Sequence, residues 1–110
     1  MLDPLFMGDI ITSTLHGSPF PEGPQATMLL LGTVAVESEF LDLPERGERP
    51  GIGYFQVLPD LEAQIWTHHL RHNVSLVWWF ASHAGQVFPH PQALEHNLSY
   101  QVLLARSLYY

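Results

Sequence analysis

Cysteine is absent from the 110 residues, and so is lysine. Without cysteine there are no disulfides, no zinc–thiolate sites and no thiol nucleophile. The basic residues are four arginines, Arg46, Arg49, Arg71 and Arg106, against a formal net charge of −7. Phosphate backbones are held mainly by Lys and Arg, so no nucleic-acid partner is expected. The same balance disfavours tight docking on anionic surfaces and is compatible with docking onto a larger assembly. No apolar run approaches the roughly 20 residues of a membrane helix, so no membrane insertion is expected. The first residues lack a charged start and an apolar core, because Asp3, Pro4 and Asp9 interrupt them. They read as no signal peptide. No tract of low complexity and no internal repeat is present.

What is present is ordinary for one globular domain: 46% hydrophobic and 14% charged residues. A single domain over 1–110 is expected, with an N-terminal helix and Pro/Gly-rich loop over 1–24 and the core over 25–110. Asp3-Pro4 is a cap followed by proline at the first helical position, which predicts a helix to about Leu15. His16 to Pro24 carries too much Gly and Pro to continue it.

From about Gln25 to Leu41 the pattern is helical and apolar nearly all round, as in a helix buried at the middle of a bundle. Asp42 to Gly53 reads as an exposed loop, and the segment near 51–58 as a short extended or hairpin piece. Asp60 is the expected cap of a helix through about Arg71, with Leu61, Ile65 and Trp66 inward. Val77 to Ala81 reads as a short buried helix. After Pro89-His90-Pro91, a last helix runs from about Gln92, with Leu94, Leu98, Val102, Ala105 and Leu108 at helical spacing. The expected fold class is mainly α.

Two acids close the long apolar helix. Glu37 shares a face with Leu30, Thr33, Val34 and Phe40, whereas Glu39 falls beside Gly32, Ala35, Val36 and Asp42. An acid on an apolar face near a helix C-terminus is held toward its neutral, proton-donating form by desolvation and the helix dipole. A glycoside-cleaving enzyme needs such a general acid. Equally, Glu37 is where an apolar helix emerges into solvent, and the helix pattern alone leaves both open.

Glu37-Ser38 after an apolar helix resembles the Glu-Ser motif of the lytic transglycosylase and goose-type lysozyme superfamily. Gly51-Ile52-Gly53-Tyr54-Phe55-Gln56 resembles that family's Gly-x-x-Gly-Leu-Met-Gln motif, shortened by one residue and followed by Pro59. Asn97-Leu98-Ser99-Tyr100 resembles a later segment in which an Asn opens a helix flanking the cleft. The block from about Met28 to Tyr110 is also similar to short bacteriophage proteins with a Glu-Ser and a Gly-x-Phe-Gln pair in this order.

The resemblance implies a lysozyme-like helical domain that cleaves peptidoglycan glycan strands without a cofactor, delivered by a virion or acting at the bacterial envelope. It makes Glu37 the general acid and base, and Ser38 an orienting residue. Gln56 would bond the sugar, and Tyr54 and Phe55 would shape the cleft, flanked by Asn97 and Tyr100. Cleavage to a 1,6-anhydro product needs one carboxylate. Glu39, Asp42, Glu45 and Glu48 are the second carboxylates available to a hydrolase. The family's Ala-Tyr-Asn-Ala-Gly motif has no counterpart in these residues, and Tyr100 is the nearest substitute.

A second expectation follows from that departure. A structural or adaptor component of a virion would keep the scaffold without the chemistry and meet a partner through the C-terminal helix. His68 and His72 are four apart, but a metal normally needs three ligands, so no metal site is assigned. Of Trp66, Trp78 and Trp79, at least two are expected to be structural.

Overall fold

The computed structural model describes residues 3–20, 24–38 and 51–109. Among the described residues six α-helices follow one another: α1 (Pro4–Leu15), α2 (Pro24–Glu37), α3 (Pro59–His68), α4 (Val74–Ala84), α5 (Pro91–His96) and α6 (Leu98–Leu108). A 3-10 turn at Leu70–His72 joins α3 to α4. Among the described residues there is no strand, only an antiparallel bridge between Ile52 and Val57. The mainly α class and the short paired segment near 51–58 are therefore as expected. The radius of gyration, 12.8 Å, equals the about 13 Å of a chain this long folded round one core.

Local chemistry sets most of the boundaries. The Asp3 carboxylate accepts the Leu5 N–H at 2.8 Å, and Pro4 opens α1 as the sequence indicates. Asn73 caps α4 through the Leu76 N–H, and Gly85, at φ 71°, ends it in the left-handed conformation. α3 differs from expectation. Leu58 occupies the cap position and Pro59 the first turn, so Asp60 lies inside the helix, which stops at His68 rather than Arg71. His68 ends α3 while His72 belongs to the 3-10 turn, so the two do not share a helix face. Asn97 interrupts the expected last helix and divides it into α5 and α6.

The buried central helix is α6, not α2. Every residue from Tyr100 to Ser107 is buried, and α1 to α5 all pack against it. Its polar residues find partners inside. Gln101 accepts a backbone N–H, Ser107 donates to the Leu103 carbonyl, and Arg106 lies 5.7 Å from the Phe20 ring centre. α2 buries one row, Leu30, Val34 and the adjoining Ser38, against α1 and α6, and leaves Met28, Leu29 and Val36 exposed. An all-round apolar pattern thus belongs here to a helix that the described residues cover on one side.

In the core, Trp66, Phe80 and Tyr100 stack edge to face, with centroids 5.0 and 5.8 Å apart. Trp79 is held by a hydrogen bond from its indole N–H to the Thr14 carbonyl. Trp78 is 69% exposed, so the Val77–Ala81 run is helical but not wholly buried. Two of the three tryptophans are structural.

Candidate functional site

The turn Gly53 to Gln56 is built by glycine. A Cβ on Gly51 would overlap the Gln56 carbonyl, and one on Gly53 would overlap the Leu94 carbonyl and the Gln101 side chain. Gly53 also has φ 76°, a backbone region that costs any residue with a Cβ. The Ile52–Val57 bridge, with N–H to carbonyl distances of 3.0 and 3.2 Å, closes the turn. The Tyr54 N–H donates to Gln101 Oε1 at 2.9 Å, which ties the turn to the central helix.

Ser38 joins this turn to α2. Its hydroxyl is buried and shares its proton between the Tyr54 carbonyl at 2.6 Å and the Val34 carbonyl at 3.1 Å. Ser38 is thereby set against the turn that carries Gln56. Gln56 is the one non-glycine with positive φ among the described residues, at 52°. Its side-chain amide donates to the Gly53 carbonyl at 2.7 Å. A left-handed residue other than Gly or Asn is uncommon and costs conformational energy, and such residues gather at functional sites.

Glu37 is exposed, contrary to the desolvated acid expected on the face of Leu30 and Val34. The buried row advances by four, from Leu30 to Val34 to Ser38, and Glu37 lies about 100° round from Ser38. Its carboxylate borders a depression of about 410 Å³ with Met28, Leu29, Gly32, Thr33, Val36 and Tyr109. Thr33 spends its proton on the Leu29 carbonyl, so the 2.7 Å contact with Tyr109 is a bond donated by the phenol.

The remaining expected residues separate. Tyr54 and Gln56 are half-buried on the turn, while Phe55 is buried in the core and lines no cleft. Asn97 is a helix cap: Oδ1 accepts the Tyr100 N–H at 3.0 Å, and Nδ2 donates to the Ala84 carbonyl at 2.7 Å. It borders a different depression, of about 500 Å³, with Gln86, His90, Gln92 and His96. Tyr100 is fully buried and so does not stand in for a cleft tyrosine. Glu39, Asp42, Glu45 and Glu48 lie outside the described residues.

Tyr100 instead belongs to a buried polar network, in which Glu62 Oε1 has no hydrogen-bond partner. Its hydroxyl accepts the Trp66 indole N–H at 2.8 Å and donates to Glu62 Oε2 at 2.5 Å. The His90 backbone N–H reaches the same oxygen at 2.8 Å, and Glu62 has no exposed surface. Burial, and next the bond to the Glu62 carboxyl, raise the Tyr100 hydroxyl above the usual phenol range. Glu62 escaped the sequence reading because an acid in the first turn of a helix is ordinary. The available signal was its spacing of three and four from Ile65 and Trp66, which puts it on the inward face.

Among the described residues, no group of three or more His, Asp or Glu side chains is placed to hold a metal ion, and no helix is long and apolar enough to cross a membrane. Comparison with protein-family models, with curated proteins and with solved structures finds no match for this chain.

Proposed function

We propose that this chain cleaves peptidoglycan glycan strands as a lytic transglycosylase does, with Glu37 as the single acid and base. The observation that carries it is the 2.6 Å bond from Ser38 to the Tyr54 carbonyl, which couples the Glu-Ser pair to the turn bearing Gln56. Motifs 13 or more residues apart in sequence need not meet in space. The contact of Ser38 with this turn supports a shared site. The left-handed backbone of Gln56 adds support, because strain of this kind persists where a side chain must be aimed.

In this mechanism Glu37 gives its proton to the glycosidic oxygen as the bond to the muramoyl C1 breaks. The same carboxylate then takes the proton of the muramoyl 6-hydroxyl as that oxygen bonds C1, closing the 1,6-anhydro ring. The proton is returned, and no second carboxylate or cofactor enters. Glu37 is exposed in the free chain, so its carboxylate is open to a bound glycan.

One observation favours a non-catalytic scaffold instead. Phe55 and Tyr100, two of the residues the resemblance puts at the cleft, are core residues. A structural component of a virion would need the fold and not the proton transfer. Release of muropeptides from purified peptidoglycan by the wild type, and not by Glu37→Gln, supports cleavage. No release by a folded wild type supports the scaffold.

A further inference from the structure

The depression of about 500 Å³ opens between the 86–90 segment, α5 and the first turn of α6. Its walls are pinned from within the fold. Asn97 ties the start of α6 to the end of α4 by donating to the Ala84 carbonyl at 2.7 Å while accepting the Tyr100 N–H. The His90 N–H is anchored at 2.8 Å on Glu62, a carboxyl group with no exposed surface. A shape held by buried bonds needs little ordering to receive a ligand.

Within those walls several hydrogen-bonding groups are unspent. Among the described residues, the side-chain amides of Gln86 and Gln92 and the hydroxyl of Ser99 have no protein partner. Each of these groups both donates and accepts. His90 Nδ1 accepts the Ala93 N–H at 3.2 Å, which puts the proton of the neutral ring on Nε2 as a further donor. Phe88, 56% exposed, stands beside that imidazole with 6.3 Å between ring centres.

This inventory selects a class of ligand. No Arg borders the depression to fix a phosphate or carboxylate, and no Asp or Glu borders it to fix a cation. Of its lining residues only Ala93 and Leu98 are apolar, too few for an apolar ligand. What fits is a neutral molecule that donates and accepts at several points and has an apolar face for an aromatic ring. A sugar ring has both, with hydroxyls round its edge and C–H groups on its face.

We propose that this depression binds an uncharged saccharide, with Gln86, Gln92 and Ser99 on its hydroxyls and Phe88 against its ring. The site lies apart from Glu37. Ser99 borders it at the start of α6, whereas Tyr109, just past the end of α6, borders the Glu37 depression. At the helical rise the two residues stand about 15 Å apart along the axis. The site does not rest on glycan cleavage, since a chain that only holds glycan would use it equally.

The test is a nuclear magnetic resonance titration of the full chain with chitotriose, read at the side-chain amides of Gln86 and Gln92. Wild type and Glu37→Gln are titrated side by side, so that cleavage of the probe cannot imitate binding. Saturable shifts of both amides are expected, with a dissociation constant of about 0.1–10 mM for a small ligand in an open depression. The constant should be the same in both proteins. Gln86→Ala and Phe88→Ala alter surface side chains, and each should weaken binding about fivefold with helicity by circular dichroism unchanged. Inorganic phosphate is the counter-probe, because His90 and His96 would draw an anion if charged. No saturable shift up to about 20 mM chitotriose overturns the proposal. So do shifts confined to Glu37 and the Tyr54–Gln56 turn, tighter binding of phosphate, or an affinity that both alanine variants leave intact. Failure of cleavage leaves the expected shifts untouched, so the two readings fail separately.

Discussion

Tyr100→Phe removes one oxygen atom from the middle of the molecule, and its cost follows from the bonds that oxygen makes. The Tyr100 hydroxyl is the acceptor of the Trp66 indole N–H at 2.8 Å and a donor to Glu62 Oε2 at 2.5 Å. Phenylalanine keeps the edge-to-face packing on Phe80. It leaves the buried Trp66 N–H without this acceptor, and Glu62 with the His90 N–H as its remaining donor. A stranded buried donor costs about 1–3 kcal/mol, and the other lost hydrogen bond about 1 kcal/mol more, so about 2–4 kcal/mol is expected in sum. For a chain of this size that lowers Tm by about 8–16 °C.

The pH dependence supplies a second, independent readout of the same hydroxyl. It stays protonated in the folded state, whereas in the unfolded chain it ionises near 10.0. Below that pH both states hold the proton and the stabilisation is complete. Above it the unfolded state loses the proton first and is favoured, so stability falls as pH rises, by up to about 1.4 kcal/mol per unit from this group. Urea unfolding at pH 8 and pH 11 should show a steeper alkaline loss for the wild type than for Tyr100→Phe. A variant within about 0.5 kcal/mol of wild type at pH 8, with the same alkaline slope, refutes this network.

Further substitutions test other parts of the molecule. Glu62→Gln keeps an acceptor for Tyr100 and should cost less than Glu62→Leu, which strands both donors; about 2 kcal/mol should separate them in urea unfolding. Ser38→Ala releases the turn from α2 and should cost about 1 kcal/mol in urea unfolding. Gly53→Ala should lower stability by more than about 2 kcal/mol, since φ and the overlap with Leu94 and Gln101 both oppose it. Gly32→Ala, measured by thermal unfolding of dilute protein, should raise it by about 0.5–1 kcal/mol.

Much of the helical framework was legible because it is written in local chemistry. Asp3-Pro4 marks a helix start wherever it sits, and Pro89 to Pro91 stops the chain on its own. The turn at 51–57 was legible for the same reason, since its glycines answer close approaches within a few residues. What tertiary packing decides was hidden. α6 carries Gln101, Arg106 and Ser107, which dilute its apolar pattern, yet it is the central helix because each of these finds a partner inside. α2 has the more apolar pattern and the lesser burial.

The candidate site divides along the same line. Ser38 and the turn bearing Gln56 were readable together, and one hydrogen bond joins them, whereas Glu37 is exposed and borders a depression without any residue of that turn. Tyr100 and Asn97 looked alike in sequence, three residues apart, but the first faces the core and the second caps a helix beside another depression. Spacing gives a common side of a helix; only packing says whether that side is inside.

Mass analysis of material released from purified peptidoglycan by the wild type and by Glu37→Gln bears most directly on the proposed chemistry. Anhydro-ended muropeptides from the wild type alone are expected, because Glu37 is the one proton carrier in the mechanism. Equal release from Glu37→Gln, or none from a wild type shown to be folded, contradicts it.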